Sequence, residues 1–322
     1  MARYSEMSDS CGGRKAIEMK TSKQSTGRQG PAAITRSGLA RRKSDWGVRN
    51  RARLMKRTAF LAELPSGEVL FLPESLQQLC VVRQRKQLRL VFQGQDSPLT
   101  QSRMRLDDPL YLLAPYAQIM MLALIWREQP ERIYMAGFGA GRIPQVLHHY
   151  FPEVVVDCTE IDPDVLAVAQ SHFGIRLDHR LRVTIMDGRA YLEGKTEPGN
   201  YDLLFVDLSD GTASSPIGLA STDFYALCQR HLARDGVVVV NLLHGDARYR
   251  EKVELLRAAG QTLYAGRTTR GGTVFFAVNS APMSATEINA LARQLARQHR
   301  FGFPFVKHAR RLMINPTAGE TV

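Results

Sequence analysis

Short apolar runs recur along the first third of the chain and are separated by turn or polar segments. They span residues 69–72, 79–82 and 88–92. Their length and spacing predict a small antiparallel β unit. An uncharged stretch of 17 residues follows, from Leu110 to Trp126. It contains Pro115 and is short for a membrane span, so we expect a buried helix from about Pro109 to Arg127 and no membrane association.

From residue 133 onward, strand-like runs alternate with helical segments. Strands are expected at 133–136, 154–159, 181–185, 203–206 and 237–242, with helical segments around Val146 and at 165–172, 224–232 and 253–258. Nearly continuous apolar strands that alternate with helices indicate a parallel sheet covered on both faces. The predicted fold class is α/β: a Rossmann-like, doubly wound, mostly parallel sheet with the small antiparallel β unit at its N-terminus.

The end of the chain adds two further elements. A late strand at 274–278 is expected to pair with one near 262–265, and a helix after Ala285 leads into an irregular basic end. The patterns divide the chain into a basic disordered tail (1–58), the β unit (59–105), the Rossmann-like domain (106–282), and a C-terminal helix and tail (283–322).

Positive charge is concentrated at the N-terminus. Residues 1–57 hold 15 Lys and Arg against 4 Asp and Glu, which accounts for +11 of the formal net charge of +12. This basic run is poor in large apolar residues, so it predicts disorder. The remainder is nearly neutral, and we expect no nucleic-acid partner. A transit peptide is the alternative, but Glu6, Asp9 and Glu18 interrupt its acid-poor pattern.

Neither the cysteines nor the histidines form a ligand pattern. Cys11, Cys80, Cys158 and Cys228 show no CxxC spacing, and the histidines recur at no fixed interval. We therefore expect no metal site and no disulfide framework, and a cytoplasmic location.

The strongest local motif is a glycine-rich turn, Gly137-Phe138-Gly139-Ala140-Gly141-Arg142, between the first parallel strand and a helix. The three glycines let the backbone turn tightly and approach a ligand closely. A dinucleotide fingerprint needs its third glycine at the position of Arg142. The GxGxG form present here is typical of S-adenosylmethionine-binding domains, so the motif favours an adenosyl ligand over NAD.

Acidic residues follow the next two strands. Glu160 closes the second strand, 19 residues past Gly141, where a carboxylate can accept hydrogen bonds from both ribose hydroxyls. Asp187 and Gly188 follow the third strand, where the acid can accept from the adenine amino group. An Asp-Gly pair is also a common turn, which is the alternative reading.

Two more carboxylates, Asp207 and Asp210, follow the fourth strand, ahead of the loop 211–219 and a helix that opens with Phe224-Tyr225. At the carboxyl edge of a parallel sheet they face the crevice in which such folds bind ligands. Helix capping and turn formation are the alternative roles.

The order of these motifs resembles the spermidine synthase (polyamine aminopropyltransferase) family, on a class I S-adenosylmethionine-dependent methyltransferase-like fold, over roughly residues 69–278. The resemblance implies a nucleoside site made by Gln101, Glu160, Asp187 and Gly188 with the glycine turn, and an acceptor-amine pocket lined by Tyr116, Asp207 and Asp210. It implies transfer of an aminopropyl group from decarboxylated S-adenosylmethionine to a small-molecule amine. A homodimer is implied too, because polyamine synthases are commonly dimers.

Three positions depart from the family pattern. Ala140 stands where the family motif GGGDGG has an Asp that binds the amino end of the aminopropyl group, Gln118 replaces a Glu, and the loop 268–272 lacks the expected Tyr and Pro. Without the acid at position 140, intact S-adenosylmethionine becomes a second candidate donor, with Arg142 close in sequence. Three functions stay open: aminopropyl transfer with an altered acceptor site, methyl transfer, and nucleoside binding without catalysis.

Overall fold

The computed structural model describes residues 48–76, 78–93, 98–197, 200–208, 222–269 and 271–322. Most of the predicted disordered tail and the candidate Asp210 lie outside these residues. No helix within the described ranges combines the length and the apolar character that crossing a membrane requires.

A four-stranded antiparallel sheet forms the N-terminal β unit. Its strands, in spatial order, are β1 (Gly67–Leu72), β2 (Leu79–Gln84), β3 (Gln87–Gln93) and β4 (Pro98–Arg105). The three predicted runs are confirmed as β1 to β3. Strand β4 was not predicted, because its central residues from Thr100 to Arg103 are polar. It pairs with β3 and carries Gln101.

An eight-stranded sheet forms the larger layer, in the order β12-β10-β11-β9-β8-β5-β6-β7. Its strands are β5 (Arg132–Ala136), β6 (Val155–Glu160), β7 (Leu181–Ile185), β8 (Tyr201–Val206), β9 (Leu232–Leu243), β10 (Thr262–Arg267), β11 (Gly272–Val278) and β12 (Met313–Ile314). Strands β5 to β9 pair in parallel, and β10 to β12 are antiparallel. The predicted α/β fold and the predicted pairing of the two late strands are confirmed.

Helices cover both faces of the large sheet. They are α1 (48–58), α2 (Pro115–Met120), α3 (Arg142–Tyr150), α4 (Pro163–His172), α5 (Gly188–Glu193), α6 (Thr222–His231), α7 (Tyr249–Ala258), α8 (Ala285–His299) and α9 (Phe305–Ala309), with 3-10 turns at Ala59–Ala62 and Met121–Ile125. Because strand side chains alternate, Leu203 and Phe205 of β8 belong to one apolar core, and Leu204 and Val206 to the other. This two-sided burial is why the strands read as continuous apolar runs.

The strand order fixes where a ligand can bind. The chain runs from β5 outward to β7, then returns to place β8 on the other side of β5. Connections on opposite sides of β5 and β8 leave a crevice at the carboxyl ends of these strands.

The predicted tail boundary at residue 58 was wrong. Residues 48–58 are helical, and Leu54 and Thr58 are only 3% and 2% exposed. Leu54, Thr58 and Leu61 recur at i, i+4 and i+7, so they fall on one face that packs against the domain. The surrounding basic residues obscured this short amphipathic pattern.

The predicted helix at 109–127 was too long. Helix α2 begins at Pro115, whose missing N–H is harmless in the first turn, and the proline keeps Ala114 extended at φ −77° and ψ 124°. After Met120 the chain tightens into the 3-10 turn Met121–Ile125, which is fully buried as predicted.

The C-terminal end was predicted to be irregular, and it is partly ordered. Helix α8 begins with a capping box in which the Ser284 hydroxyl accepts from the Glu287 amide at 3.2 Å. Helix α9 follows, and β12 then pairs with β10 at the edge of the large sheet. Residues 283–322 thus complete the main domain, because Ile288 and Leu295 lie in the same core as the buried 3-10 turn.

Candidate active site

Two adjoining cavities open at the carboxyl ends of the parallel strands. The first, the β6 chamber, has a volume of about 620 Å³ and is lined by Glu160, Asp162, Met186, Asp187, Gly188 and Leu208. The second, the α2 chamber, has a volume of about 450 Å³ and is lined by Ser102, Arg103, Leu112, Tyr116, Met135 and Arg142. Both are also bounded by Gln101, Phe138, Gly139 and Asp207. The two chambers therefore adjoin, and together they are called the cleft.

The glycine turn brings the end of β5 against the end of β8. Gly137, Gly139 and Gly141 have φ values of +87°, +53° and +65°, a region that side chains disfavour. A Cβ at Gly137 would lie 2.3 Å from the Asp207 carbonyl oxygen, and one at Gly141 would lie 2.5 Å from the Phe138 ring. The tight turn predicted from the motif is therefore present, and at Gly137 and Gly141 the space that a side chain would need is filled by the protein itself.

The Glu160 carboxylate lies at the floor of the β6 chamber and is held by backbone amides. One oxygen accepts from the N–H groups of Phe138 and Gly139 at 3.3 and 3.1 Å, and the other from Ile161 and Asp162 at 2.8 and 3.1 Å. Burial raises the pKa of Glu160, while these four amides act in the opposite direction. The glycine turn and the acid after β6 are thus one hydrogen-bonded unit.

Asp187 faces the β6 chamber and also caps α5. Its carboxylate accepts from the Arg189 and Ala190 amides, at 2.9 Å each. Gly188 is buried, and the Tyr134 hydroxyl donates to its carbonyl at 3.0 Å. Asp187 therefore combines a helix-capping role, which was not predicted, with a position in the chamber wall.

Asp207 lies at the wall shared by the two chambers. Its carboxylate accepts from the Asn241 amide at 3.0 Å and from the Tyr116 hydroxyl. Burial raises the pKa of Asp207, and the two donors act against that rise. Burial and the neighbouring carboxylate together raise the pKa of Tyr116. The cleft therefore holds a carboxylate whose protonated form is favoured relative to a free aspartate.

Strand β4 of the small antiparallel sheet forms part of the cleft wall. Strand β4 places Gln101 against both chambers and Ser102 against the glycine turn, where the Ser102 hydroxyl accepts from the Ala140 amide at 3.3 Å. The candidate Gln101 thus lies beside the other candidates although it comes from a separate sheet.

The three departures from the family pattern lie in different places in the structure. Ala140 is fully buried in a core it shares with Leu88 and Leu90 of the small sheet. Gln118 is also buried; its amide donates to the Leu112 carbonyl at 2.5 Å and hydrogen-bonds His308 at 2.8 Å. Among the described residues, the loop 268–272 contributes to neither chamber.

Arg142 contributes to the wall of the α2 chamber, yet its guanidinium is engaged elsewhere. It donates to the Pro109 carbonyl and to the Gln145 side chain. Burial lowers its pKa to about 10, with Asp108 opposing the shift. Its positive charge still lies beside the chamber, but the hydrogen bonds hold the group in place.

Sequence reasoning missed several residues of the cleft. Asn241 is the partner of Asp207 and interrupts the apolar run of β9, which was a usable signal for a polar group at the carboxyl end of that strand. Ser102 and Arg103 were missed with β4 as a whole. Within the described ranges, no group of three or more His, Cys, Asp or Glu side chains has an arrangement suited to a metal ion.

Comparisons with known proteins identify relatives of this chain. The family pattern described as Spermine/spermidine synthase domain matches residues 116–253. The polyamine aminopropyltransferase of Chromobacterium violaceum is 32% identical over 220 residues, which are 67% of this chain and 83% of that protein.

Two solved structures are similar in fold. Human methyltransferase-like protein 13 in complex with SAH is 26% identical, with a TM-score of 0.54, over 59% of this chain and 94% of that one. A probable spermidine synthase from Corynebacterium glutamicum has a TM-score of 0.61 at 16% identity, over 79% and 92% of the two chains. Their resemblance agrees with the methyltransferase-like sheet. Since the first relative exceeds 30% identity and is covered over 83% of its length, the chain belongs to the spermine/spermidine synthase family of transferases.

Proposed function

We propose that this protein transfers the aminopropyl group of decarboxylated S-adenosylmethionine to a small-molecule amine. The observation that carries the proposal is the Asp207 carboxylate at the wall between the two chambers, hydrogen-bonded to Tyr116 and Asn241. A donor seated in the β6 chamber directs its sulfonium toward this wall, and an amine in the α2 chamber meets it there. The 32% identity to a polyamine aminopropyltransferase supports this assignment.

The cosubstrate is of the adenosyl type, and Glu160 is the proposed ribose ligand. A carboxylate has about four lone-pair directions, and four backbone amides already occupy them. Ribose hydroxyls therefore have to replace at least one amide, and the 3.3 Å bond from Phe138 is the longest of the four. Asp187 and Gln101 are the proposed contacts to the remainder of the nucleoside.

The chemistry needs alignment and a proton acceptor. The amine nitrogen attacks the aminopropyl carbon next to sulfur, the new N–C bond forms as the C–S bond breaks, and the electron pair stays on sulfur to give neutral methylthioadenosine. The sulfonium already activates the carbon, so holding both reactants in line supplies much of the acceleration. The surplus proton on nitrogen passes to Asp207.

The properties of Asp207 suit that role. A carboxylate in the wall of the cleft attracts a cationic acceptor, because charges interact strongly where water is largely excluded. Its raised pKa brings its proton affinity closer to that of an amine and makes it a better base. Tyr116 and Asn241 keep the carboxylate in one orientation. Asp210, which lies outside the described residues, stays a candidate for the same pocket.

Methyl transfer from intact S-adenosylmethionine is the second candidate, and two observations favour it. The side chain of Ala140 packs into the core, so position 140 supplies no acid that would repel a methionine carboxylate. Arg103 and Arg142 line the α2 chamber, where positive charge attracts that carboxylate. The thioether product would then be SAH, the ligand of human methyltransferase-like protein 13.

Product analysis by mass spectrometry separates the two reactions. The full chain is incubated with either donor and a panel of di- and polyamines. Methylthioadenosine together with an amine that has gained an aminopropyl group supports the proposal. SAH with a methylated amine supports the second candidate, and no product with any acceptor contradicts both. Asp207→Asn is the matched control, because it removes the base and keeps the side-chain volume.

A further inference from the structure

A third cavity lies at the opposite edge of the large sheet from the cleft. It encloses about 870 Å³, counting the space that is open to solvent, and it opens between α1, the second half of α3 and the start of β7. Leu181 in its wall is the first residue of β7, so the cavity is near the amino ends of the parallel strands. It shares no lining residue with either chamber. We call it the basic cavity; Arg53, Arg57, His148, His149 and Arg176 contribute to its walls.

Among the described residues, none of the arginines of the basic cavity has an acidic partner. Within the part of the chain that the structure describes, no carboxylate oxygen lies within 4 Å of Arg53, Arg57 or Arg176. Asp178 is the one acidic residue among the described lining, and it is already engaged. It lies 3.0 Å from His148 and accepts from the Arg180 and Leu181 amides at 2.8 and 2.9 Å.

The environment of Arg57 shows the effect of placing several positive charges together. It is half-buried; one terminal nitrogen donates to the Gly174 carbonyl at 2.9 Å, and its Nε is buried with no hydrogen-bond partner among the described residues. Burial lowers the pKa of Arg57, and the positive charge of Arg176 lowers it further. Like charges gathered at a half-buried site are unfavourable unless an anion compensates them.

The shape of the basic cavity favours a small ligand. Leu54, Gln145 and Leu181 are buried and close its inner side, while Arg53 and Arg176 are exposed at its rim. Guanidinium groups bind phosphate oxygens in bidentate pairs, so three arginines around one concave site suit a chain of phosphate groups.

We propose that the basic cavity is a binding site for a small polyphosphate-bearing anion, separate from the transferase cleft. Three features support the assignment: the three arginines have no acidic partner among the described residues, the floor of the cavity is buried, and the cavity lies at the far edge of the sheet. Neither the family relationship nor the proposed reaction enters into it, so its test is independent of catalysis.

Calorimetric titration of the full chain with tripolyphosphate tests the site, because this probe has no nucleoside with which to use the β6 chamber. The variant carries Arg53→Gln and Arg176→Gln, two exposed residues whose side chains make no hydrogen bond to another described residue. The control carries Arg293→Gln and Arg297→Gln on the exposed face of α8, which removes the same charge elsewhere. We expect binding to weaken about tenfold or more in the variant and to be unchanged in the control.

Equal affinity of wild type and variant would overturn the proposal, since the anion would then bind the basic N-terminal run or another surface. Titration with ATP identifies the source of the phosphates. ATP binding that is tighter than tripolyphosphate binding, and that the variant loses, assigns a nucleotide. ATP binding equal to tripolyphosphate binding assigns the phosphate chain alone. A single-stranded RNA that binds more tightly than tripolyphosphate, and is lost in the same variant, would overturn the small-anion assignment in favour of nucleic acid.

Discussion

Replacing Glu160 by Gln tests how the glycine turn is held in place. The carboxylate accepts four backbone N–H bonds between 2.8 and 3.3 Å, two on each oxygen. An amide has only one acceptor oxygen, so it can satisfy one pair of N–H groups while its NH₂ group faces the other pair. Glu160→Gln therefore removes two charge-assisted hydrogen bonds and sets donors against donors.

The size of the effect follows from that count. Each hydrogen bond to a charged group contributes about 1.5–3 kcal/mol to stability, so the two lost bonds cost about 3–6 kcal/mol. Removing the charge also removes the free-energy cost of burying it, the same cost that raises the pKa of Glu160. This gain offsets part of the loss. We expect a net loss of about 1–3 kcal/mol in the free energy of unfolding and at least about tenfold weaker binding of methylthioadenosine.

Urea unfolding and calorimetric titration measure the two quantities on the same preparations. Glu193→Gln is the control, because Glu193 is exposed and its one ion pair among the described residues is with Arg189, across one helical turn. Its stability should stay within about 0.5 kcal/mol of wild type. If Glu160→Gln unfolds and binds like wild type, the amide cradle does not hold the turn and the proposed ribose contact is refuted.

Three further substitutions are informative. Asp207→Asn should lower kcat by about 10²–10⁴-fold. Because the pKa of Asp207 is raised in the folded state, folding disfavours its ionised form, and the variant should be at least as stable as wild type at neutral pH. The kcat/KM of the wild type should fall as the pH drops through that pKa. Undiminished turnover would exclude it as the base. Gly141→Ala should cost about 1–3 kcal/mol in urea unfolding, since its φ is +65° and its Cβ meets the Phe138 ring, whereas Gly245→Ala, with open space around it, should not. Leu54→Ala should cost about 2–5 kcal/mol by the same assay, and a change below about 0.5 kcal/mol would show that α1 does not stabilise the domain.

Much of the fold could be predicted because the parallel strands are buried on both faces. The four valines at 237–240 are typical of a strand that is buried on both faces. The glycine turn and Glu160 follow two such strands, at a spacing that is typical of an adenosyl site. Short amphipathic elements were harder. In and just after helix α1, the buried face consists of Leu54, Thr58 and Leu61, and basic residues surround it. Strand β4 is polar at its centre, where its residues line the cleft.

The candidate site was predictable where each residue follows a strand end. Asp207 could be placed from the local sequence, and the family resemblance placed Tyr116 in the same pocket. Its other partner, Asn241, could not be predicted, because it comes from β9 and meets Asp207 only through the topology of the sheet. The sequence also did not reveal the direction in which a side chain points. Ala140 and Gln118 read as altered ligand positions, and both are directed into the protein interior.

The most direct test of the proposed reaction is calorimetric titration of the full chain with decarboxylated and with intact S-adenosylmethionine. If the protein is an aminopropyltransferase, the decarboxylated donor should bind at least about tenfold more tightly, a difference of about 1.4 kcal/mol. Tighter binding of the intact donor would contradict the aminopropyl assignment and favour methyl transfer.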